Sequence, residues 1–240
     1  MREQTNLQQE SSMLHWFPKV KDIIPVPRTE FFALTTEEAY QIIGLLDRVL
    51  LPETLATRIE AAAGKIGYPL FMRSDQGSAK HDYNHTCRVL SEDRLIPNLA
   101  TLIEWHLMVD LWPRALAFRE MLPLASPFDA FDGLPIAKER RYFVEDGKVI
   151  CHHPYWPEGA IEFRERGRDI SPRGWRLALK VLNVEEPEEV ALLSTLAERF
   201  SRAVPGFFSV DFAMEKGGRW VMIDAARGEL SWHPEHHDDE

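Results

Sequence analysis

FSVDFAMEKGGRWVMIDAARGE, residues 208–229, sets one aspartate inside or beside each of two apolar runs parted by a glycine pair. The runs, Phe208 to Met214 and Trp220 to Ile223, flank Gly217-Gly218. Such a pair between β-prone runs predicts a tight hairpin whose turn takes positive φ angles. A turn centred on the glycines sets Met214 opposite Val221, Phe212 opposite Ile223 and Asp211 opposite Asp224. Directly opposed side chains lie ~5 Å apart at Cβ, and two like charges at that spacing destabilise a sheet. A divalent cation held through the carboxylate oxygens would offset the repulsion, and magnesium is commonly held by one or two carboxylates plus substrate phosphates. Taken alone, the hairpin equally allows two solvated side chains with water between them.

Composition narrows the classes around this hairpin. A chain of 240 residues can bury a large core as one domain or two small lobes. Apolar content of 45% with 28% charged residues suits a soluble globular protein. A formal charge of −10 argues against a general nucleic-acid binder, which needs dense Lys and Arg surfaces. Cys87 and Cys151 are too few for a disulfide framework and lack zinc-like spacing. The opening MREQTNLQQESSML has no apolar signal core, and no run of ~18 apolar residues occurs. Together these predict a cytoplasmic protein with no membrane partner. HPEHHDDE, with His233, His236 and His237, is expected to be a solvated tail.

Upstream, residues 1–14 read as a frayed leader, and the prolines of Trp16 to Phe32 predict strand and loop rather than helix. Helices are expected from Thr36 to Leu50, Pro52 to Ile66, Ser91 to Leu111, Pro172 to Leu182 and Pro187 to Val204. Strands are expected at Tyr68 to Arg73, Thr86 to Leu90 and Ala115 to Leu122. A second hairpin turns on Asp146-Gly147, between Arg140 to Glu145 and Lys148 to His152. The stretch PLASPFDAFDGLP reads as a seam between lobes. Mixed helices and hairpins predict an α+β fold with antiparallel sheets.

Two further segments could carry chemistry. The loop RSDQGSAK, Arg73 to Lys80, leaves one strand for another and could lay backbone amides, a hydroxyl and an ammonium against phosphates. Lys80 is followed by His81, so this is not a Walker loop. A solvated polar loop is the alternative. His81 and His85 flank it. In Glu139-Arg140-Arg141, strand alternation puts Glu139 and Arg141 on one face and Arg140 on the other. An inward arginine there could stabilise a transferring phosphoryl group, and a surface ion pair is the alternative.

In this order, the pieces resemble the ATP-grasp superfamily over roughly Ile24 to Ser231. IPVPRT resembles the segment before the nucleotide lobe, and KIGYPLFMR the Gly-Tyr-Pro strand ending in a nucleotide-contacting lysine, which is Arg73 here. SDQGSAK resembles the flap over the ATP phosphates, FREML the hinge strand that holds adenine and ribose, and ERRYFVEDGKV the strand and hairpin opening the second lobe. That last segment is also similar to the eukaryotic cell-division-cycle ATP-grasp proteins, which help assemble a translation initiation factor.

The resemblance implies two α+β lobes clasping a nucleotide: 1–36 as leader and short preceding segment, 37–122 as first lobe with hinge, 123–240 as second lobe with the metal hairpin. ATP and Mg²⁺ are the implied cofactors. Arg73, Ser78 and Lys80 would face the phosphates, Glu120, Met121 and Leu122 the adenine and ribose, and Asp211 and Asp224 the metal. Lys80 and Arg141 would neutralise charge in catalysis. The implied activity is an ATP-dependent carboxylate–amine ligase working through an acyl phosphate on a small-molecule, peptide or protein acceptor. A nucleotide-binding assembly or regulatory factor and a small-molecule kinase are the alternatives. One departure stands out: the family usually has glutamate, one residue, then a metal-binding asparagine, where this chain has Asp224, Ala225 and Ala226.

Overall fold

Alternating apolar residues around tight turns build two separate four-stranded antiparallel sheets in the computed structural model. The structure describes residues 2–164 and 173–234, with side chains described over 6–162 and 173–234. Two compact units divide the chain, one of residues 1–26, 137–158 and 176–240, the other of 27–136 and 159–175.

The second of these units carries β1 (Thr29–Ala33), β2 (Leu70–Ser74), β3 (Arg88–Val89) and β4 (Ala115–Glu120) in the order β1-β4-β2-β3. Three helices, α3 (Thr36–Ile43), α4 (Glu53–Gly64) and α5 (Leu95–Met108), accompany this sheet. Leu55 and Ile59 of α4 join Leu95, Leu99 and Ile103 of α5 against Leu70, Met72, Leu116 and Phe118 of the strands. That apolar stripe fixes the helix faces, at ~1.5–3 kcal/mol for each fully buried large side chain. Thr35 and Glu38 close a capping box on α3, and Pro97 falls in the first turn of α5, where its missing N–H removes no helical bond. The stretch expected as a seam holds a small hairpin, β5 (Phe128–Ala130) and β6 (Leu134–Ile136), and the division between the units follows it, between 136 and 137.

The other unit carries β7 (Glu139–Glu145), β8 (Lys148–Pro154), β9 (Phe208–Met214) and β10 (Trp220–Arg227) in the order β10-β9-β7-β8. Asp146 and Gly147, both at positive φ, make the expected turn between β7 and β8. Helix α8 (Pro187–Ala203) packs on β7, β8 and β9 through Leu193, Ala197 and Phe200. Helices α6 (Glu158–Arg164) and α7 (Trp175–Leu182) lie between in sequence, and α6 was not expected.

The N-terminal segment corrects the expectation of a frayed leader followed by strand and loop. Residues Arg2–Ser11 form α1 and Met13–Val20 form α2, with Pro18 inside the helix. Met13, Trp16, Phe17 and Val20 recur at helical spacing and are all buried. Four such burials outweigh the ~3 kcal/mol an internal proline costs. Helix α1 lies along β10, where Ser11 Oγ accepts the Arg227 amide at 2.9 Å.

The β9–β10 hairpin corrects the expected turn as well. Gly218 (φ +82°) donates to Glu215 O, so the loop is Lys216-Gly217-Gly218 rather than the glycine pair alone. Trp220 therefore pairs with Met214 and Met222 with Phe212, one residue off the expected partners. A register shift between Met222 and Asp224 then restores the pairing of Asp224 with Asp211.

Candidate functional site

Strand β7 lies between β8 and β9, and its register aligns four charged or titratable residues. Arg141 pairs with His153 on β8 and with Asp211 on β9, and Asp211 pairs with Asp224 on β10. Opposed residues of antiparallel strands share a face, so His153, Arg141, Asp211 and Asp224 form one cross-strand row. Arg141 Nε and Nη2 donate to the two Asp211 carboxylate oxygens at 2.8 Å each. The guanidinium lies 4.7 Å from the Tyr155 ring centre, and Nη1 reaches Trp232 O at 3.4 Å. Arg141 is thus the cation next to the aspartate pair, in the role the hairpin alone suggested for a metal.

Burial opposes the Arg141 charge and Asp211 favours it, and the balance holds its pKa above the ordinary arginine value. His153 is pushed down, first by burial, so it stays neutral near pH 7. Two carboxylates against one guanidinium leave the row with one net negative charge. Asp211 is 5% exposed. A carboxylate has roughly four acceptor sites, of which Arg141 takes two on Asp211. Asp224 is half-buried and accepts the Ala225 amide at 3.0 Å. An all-oxygen donor set with residual negative charge fits a hard cation such as Mg²⁺. Ala226, paired with Ser209, brings no ligand to it.

Arg140 behaves oppositely, as alternation predicts. Its side chain is fully buried, donates from Nε to Glu189 and from Nη2 to Leu182 O and Val184 O, and lies over Trp220. Lys138 also pairs with Glu189.

The remaining predicted residues belong to the other unit. Arg73, on β2, is buried and donates from Nε to Ser74 O. Ser74 Oγ accepts the amides of Gln76 and Gly77 at 3.0 Å each. Buried Asp75 accepts the Arg114 and Ala115 amides. A Cβ on Gly77 would come within 2.9 Å of the Trp105 ring, so only glycine fits there. Ser78 is half-buried, Ala79 sits at φ +50°, and half-buried Lys80 opens a short 3-10 turn. Thr86 Oγ1 lies 3.0 Å from Ala79 O and 2.6 Å from Asp82 O. The loop expected as a solvated or flap-like segment is bonded on both sides of Ser78.

Glu120 ends β4 with its carboxylate on the Arg28 amide at 2.8 Å. Met121 Sδ accepts from Tyr83 O–H, whose pKa burial pushes up to about 12. Leu122 O accepts the Leu124 amide. His81 packs edge-on against Phe131. His85 pairs with Asp82 and Asp132 in an exposed group. His233 is buried against Cys151 Sγ at 2.9 Å, against the expectation for that residue of a solvated tail, and the rest of the tail from 235 on, with His236 and His237, lies outside the described residues. No helix among the described residues is long and apolar enough to cross a membrane.

Sequence reasoning missed His106 and His153, and took in Ser74 only as part of the Arg73–Lys80 loop. The turn at Asp146-Gly147 alone would set His152 opposite Arg141; the register shift between Phe143 and Val144 puts His153 there instead, and nothing local in the sequence marks that shift. His106 had no local signal.

The family model described as "ATP-grasp domain, R2K clade family 3" matches residues 62–240. No curated protein sequence matches the chain. Among solved structures, Cdc123 from Schizosaccharomyces pombe aligns at TM-score 0.63 and 14% identity, over 97% of this chain and 92% of that one. Its C-terminally truncated form aligns at 0.61 and 12%, over 92% and 85%. N5-carboxyaminoimidazole synthase from Aspergillus clavatus, solved with ADP and its ribonucleotide, aligns at 0.49 and 13%; 96% of this chain matches 47% of that one. At these identities the likeness is one of fold.

Proposed function

Because the chain belongs to R2K clade family 3 of the ATP-grasp domains, we propose that it binds Mg-ATP and acts as an ATP-dependent carboxylate–amine ligase. The observation that carries this reading is the Arg141–Asp211–Asp224 row, with its one net negative charge and oxygen donors on one face of a sheet. Asp211 and Asp224 would hold the metal. When bound, magnesium would spread the charge of the phosphate oxygens.

Arg73, Ser78 and Lys80 bind the β- and γ-phosphates, and Glu120, Met121 and Leu122 the adenine and ribose. Lys80 and Arg141 neutralise charge as the γ-phosphoryl moves. A carboxylate oxygen of the acceptor attacks the γ-phosphorus, and the bond to the ADP oxygen breaks. An amine then attacks the acyl carbon and loses a proton, and inorganic phosphate leaves. Catalysis of this kind rests on positioning and electrostatics, with no nucleophile from the protein. Arg141, already oriented by Asp211, loses little side-chain freedom on meeting a phosphate.

A second reading is nucleotide binding without ligation, as in an assembly or regulatory factor. Ala226 in place of the family's asparagine favours it. One assay separates these from a small-molecule kinase: incubation with Mg-ATP and panels of carboxylates, amines and peptides, followed by phosphate release and mass spectrometry. Free phosphate that appears only with both acceptors, together with a condensed product, supports the ligase. A phosphorylated acceptor indicates a kinase, and tight binding without turnover a binding module. Absence of nucleotide binding removes all three.

A further inference from the structure

Ser74 stands at the mouth of the Arg73–Lys80 loop, and the fate of its single proton can be worked out from its neighbours. Its Oγ accepts the amides of Gln76 and Gly77, which occupies both hydroxyl lone pairs. Only the proton remains to be placed. Nε2 of His106 lies 2.5 Å away, against 3.3 Å for Gly77 O. On the far side of the ring, Nδ1 lies 2.7 Å from Leu102 O, which can only accept. Nδ1 therefore carries the ring hydrogen, and Nε2 is left as the acceptor for Ser74. Ser74 and His106 are both fully buried.

The surroundings reinforce this chain. Gly77 abuts the ring of Trp105, the residue before His106, and Ser74 N donates back to Gly77 O. Asp75, fully buried, holds the Arg114 and Ala115 amides. Beyond Ser78, Thr86 bonds the carbonyls of Ala79 and Asp82. Ser78 and Lys80 are thus carried on an arch bonded at both feet.

We infer that His106 is a positioning residue of this loop: through Ser74 Oγ it fixes the amides of Gln76 and Gly77, and with them the presentation of Ser78 and Lys80 to a phosphate chain. The phosphate part rests on the nucleotide-binding reading above. His106 touches no substrate. Breaking the link frees the first foot of the arch, so it weakens recognition of phosphates and leaves recognition of a nucleoside unchanged.

The test uses the full chain as wild type, His106→Ala, His106→Gln and Ser74→Ala. Amide hydrogen exchange is followed over residues 74–80, and affinities for Mg-ATP and for adenosine are measured by calorimetry. Glutamine can set its amide oxygen near the place of Nε2, so it serves as the rescue. Ser74→Ala removes only a hydroxyl and keeps the experiment decisive should the histidine variants misfold.

His106→Ala and Ser74→Ala should speed exchange at Gln76 and Gly77 by about tenfold, the factor one lost buried hydrogen bond gives. Glutamine should restore it to within about twofold. Mg-ATP affinity should fall about fivefold or more in Ser74→Ala, with adenosine affinity unchanged. Unaltered exchange in a folded His106→Ala overturns the inference, as does unaltered exchange in Ser74→Ala or an equal loss of ATP and adenosine affinity. Failure of the wild type to bind Mg-ATP overturns the nucleotide reading instead, while the exchange measurement still decides whether His106 fixes the loop.

Discussion

Arg140 and Arg141 are adjacent in sequence and stand on opposite faces of one sheet with opposite fates. Arg140 is sealed against Glu189 and the carbonyls of Leu182 and Val184. Arg141 keeps 13% of its side chain exposed, shared with Asp211 in a row that ends at half-buried Asp224. The chemistry of the two side chains is identical, so the difference comes from the two-residue period of a strand and from what each face meets. One face meets the C-terminal end of a helical segment, where carbonyls favour a cation. The other meets the Asp211 carboxylate, which accepts two hydrogen bonds from Arg141.

The comparison breaks most visibly at Arg140. Replacing it by alanine leaves buried Glu189 with Lys138 alone and takes the donor from the carbonyls of Leu182 and Val184; it should cost about 3 kcal/mol, read as a large drop in melting temperature with no selective effect on nucleotide binding. On the other face, Asp211→Asn leaves the Arg141 guanidinium without its carboxylate. A loss of about 2 kcal/mol is expected from the charged hydrogen bonds, measured by denaturant unfolding. A stability loss at Arg140→Ala smaller than that at Asp211→Asn would reverse the assignment of the two faces.

A titration sharpens the contrast between Arg141, whose charge Asp211 favours, and a buried histidine whose charge burial opposes. Burial holds His106 below the ordinary histidine value of 6.5, with Asp75 pulling it up and Arg73 pushing it down. The unfolded chain therefore takes up this proton more readily, and stability falls as pH drops below about 6.5 and recovers as it rises. The melting temperature of the wild type should decline more steeply on acidification than that of His106→Gln; parallel declines would remove His106 as the cause. Smallest of all is the effect at Arg219, just before β10, whose side chain is 58% exposed against Glu215. Arg219→Ala should change stability by about 0.5 kcal/mol or less.

Much of the fold was legible because its signals are local. Glycine turns, capping residues and alternation located the β7–β8 and β9–β10 hairpins and most helices, though not the small β5–β6 hairpin, and the opposition of Asp211 and Asp224 follows from the hairpin. The intervening register did not, since the Lys216 loop and the shift before Asp224 cancel exactly where the aspartates meet, and neither leaves a mark in the residues. Helix α2 was hidden by Pro18, whose local cost is exceeded by burial of Trp16 and Phe17 against parts of the chain far away in sequence. The pairing of Arg141 with Asp211 needs β7 beside β9, seventy residues apart, and the link from Ser74 to His106 spans thirty-two. Contacts of that range are set by tertiary structure, not by a local pattern.

We propose that the Arg141–Asp211–Asp224 face receives a metal-bound nucleotide. Calorimetric titration of ATP, with and without Mg²⁺, into the wild type and Asp224→Asn tests it most directly. Magnesium should tighten ATP binding by about tenfold or more in the wild type, since a metal held by these carboxylates adds positive charge beside the phosphates, and the gain should vanish in Asp224→Asn while its melting temperature stays close to that of the wild type. Equal ATP affinity with and without the metal in the wild type, or an undiminished magnesium gain in Asp224→Asn, would contradict it.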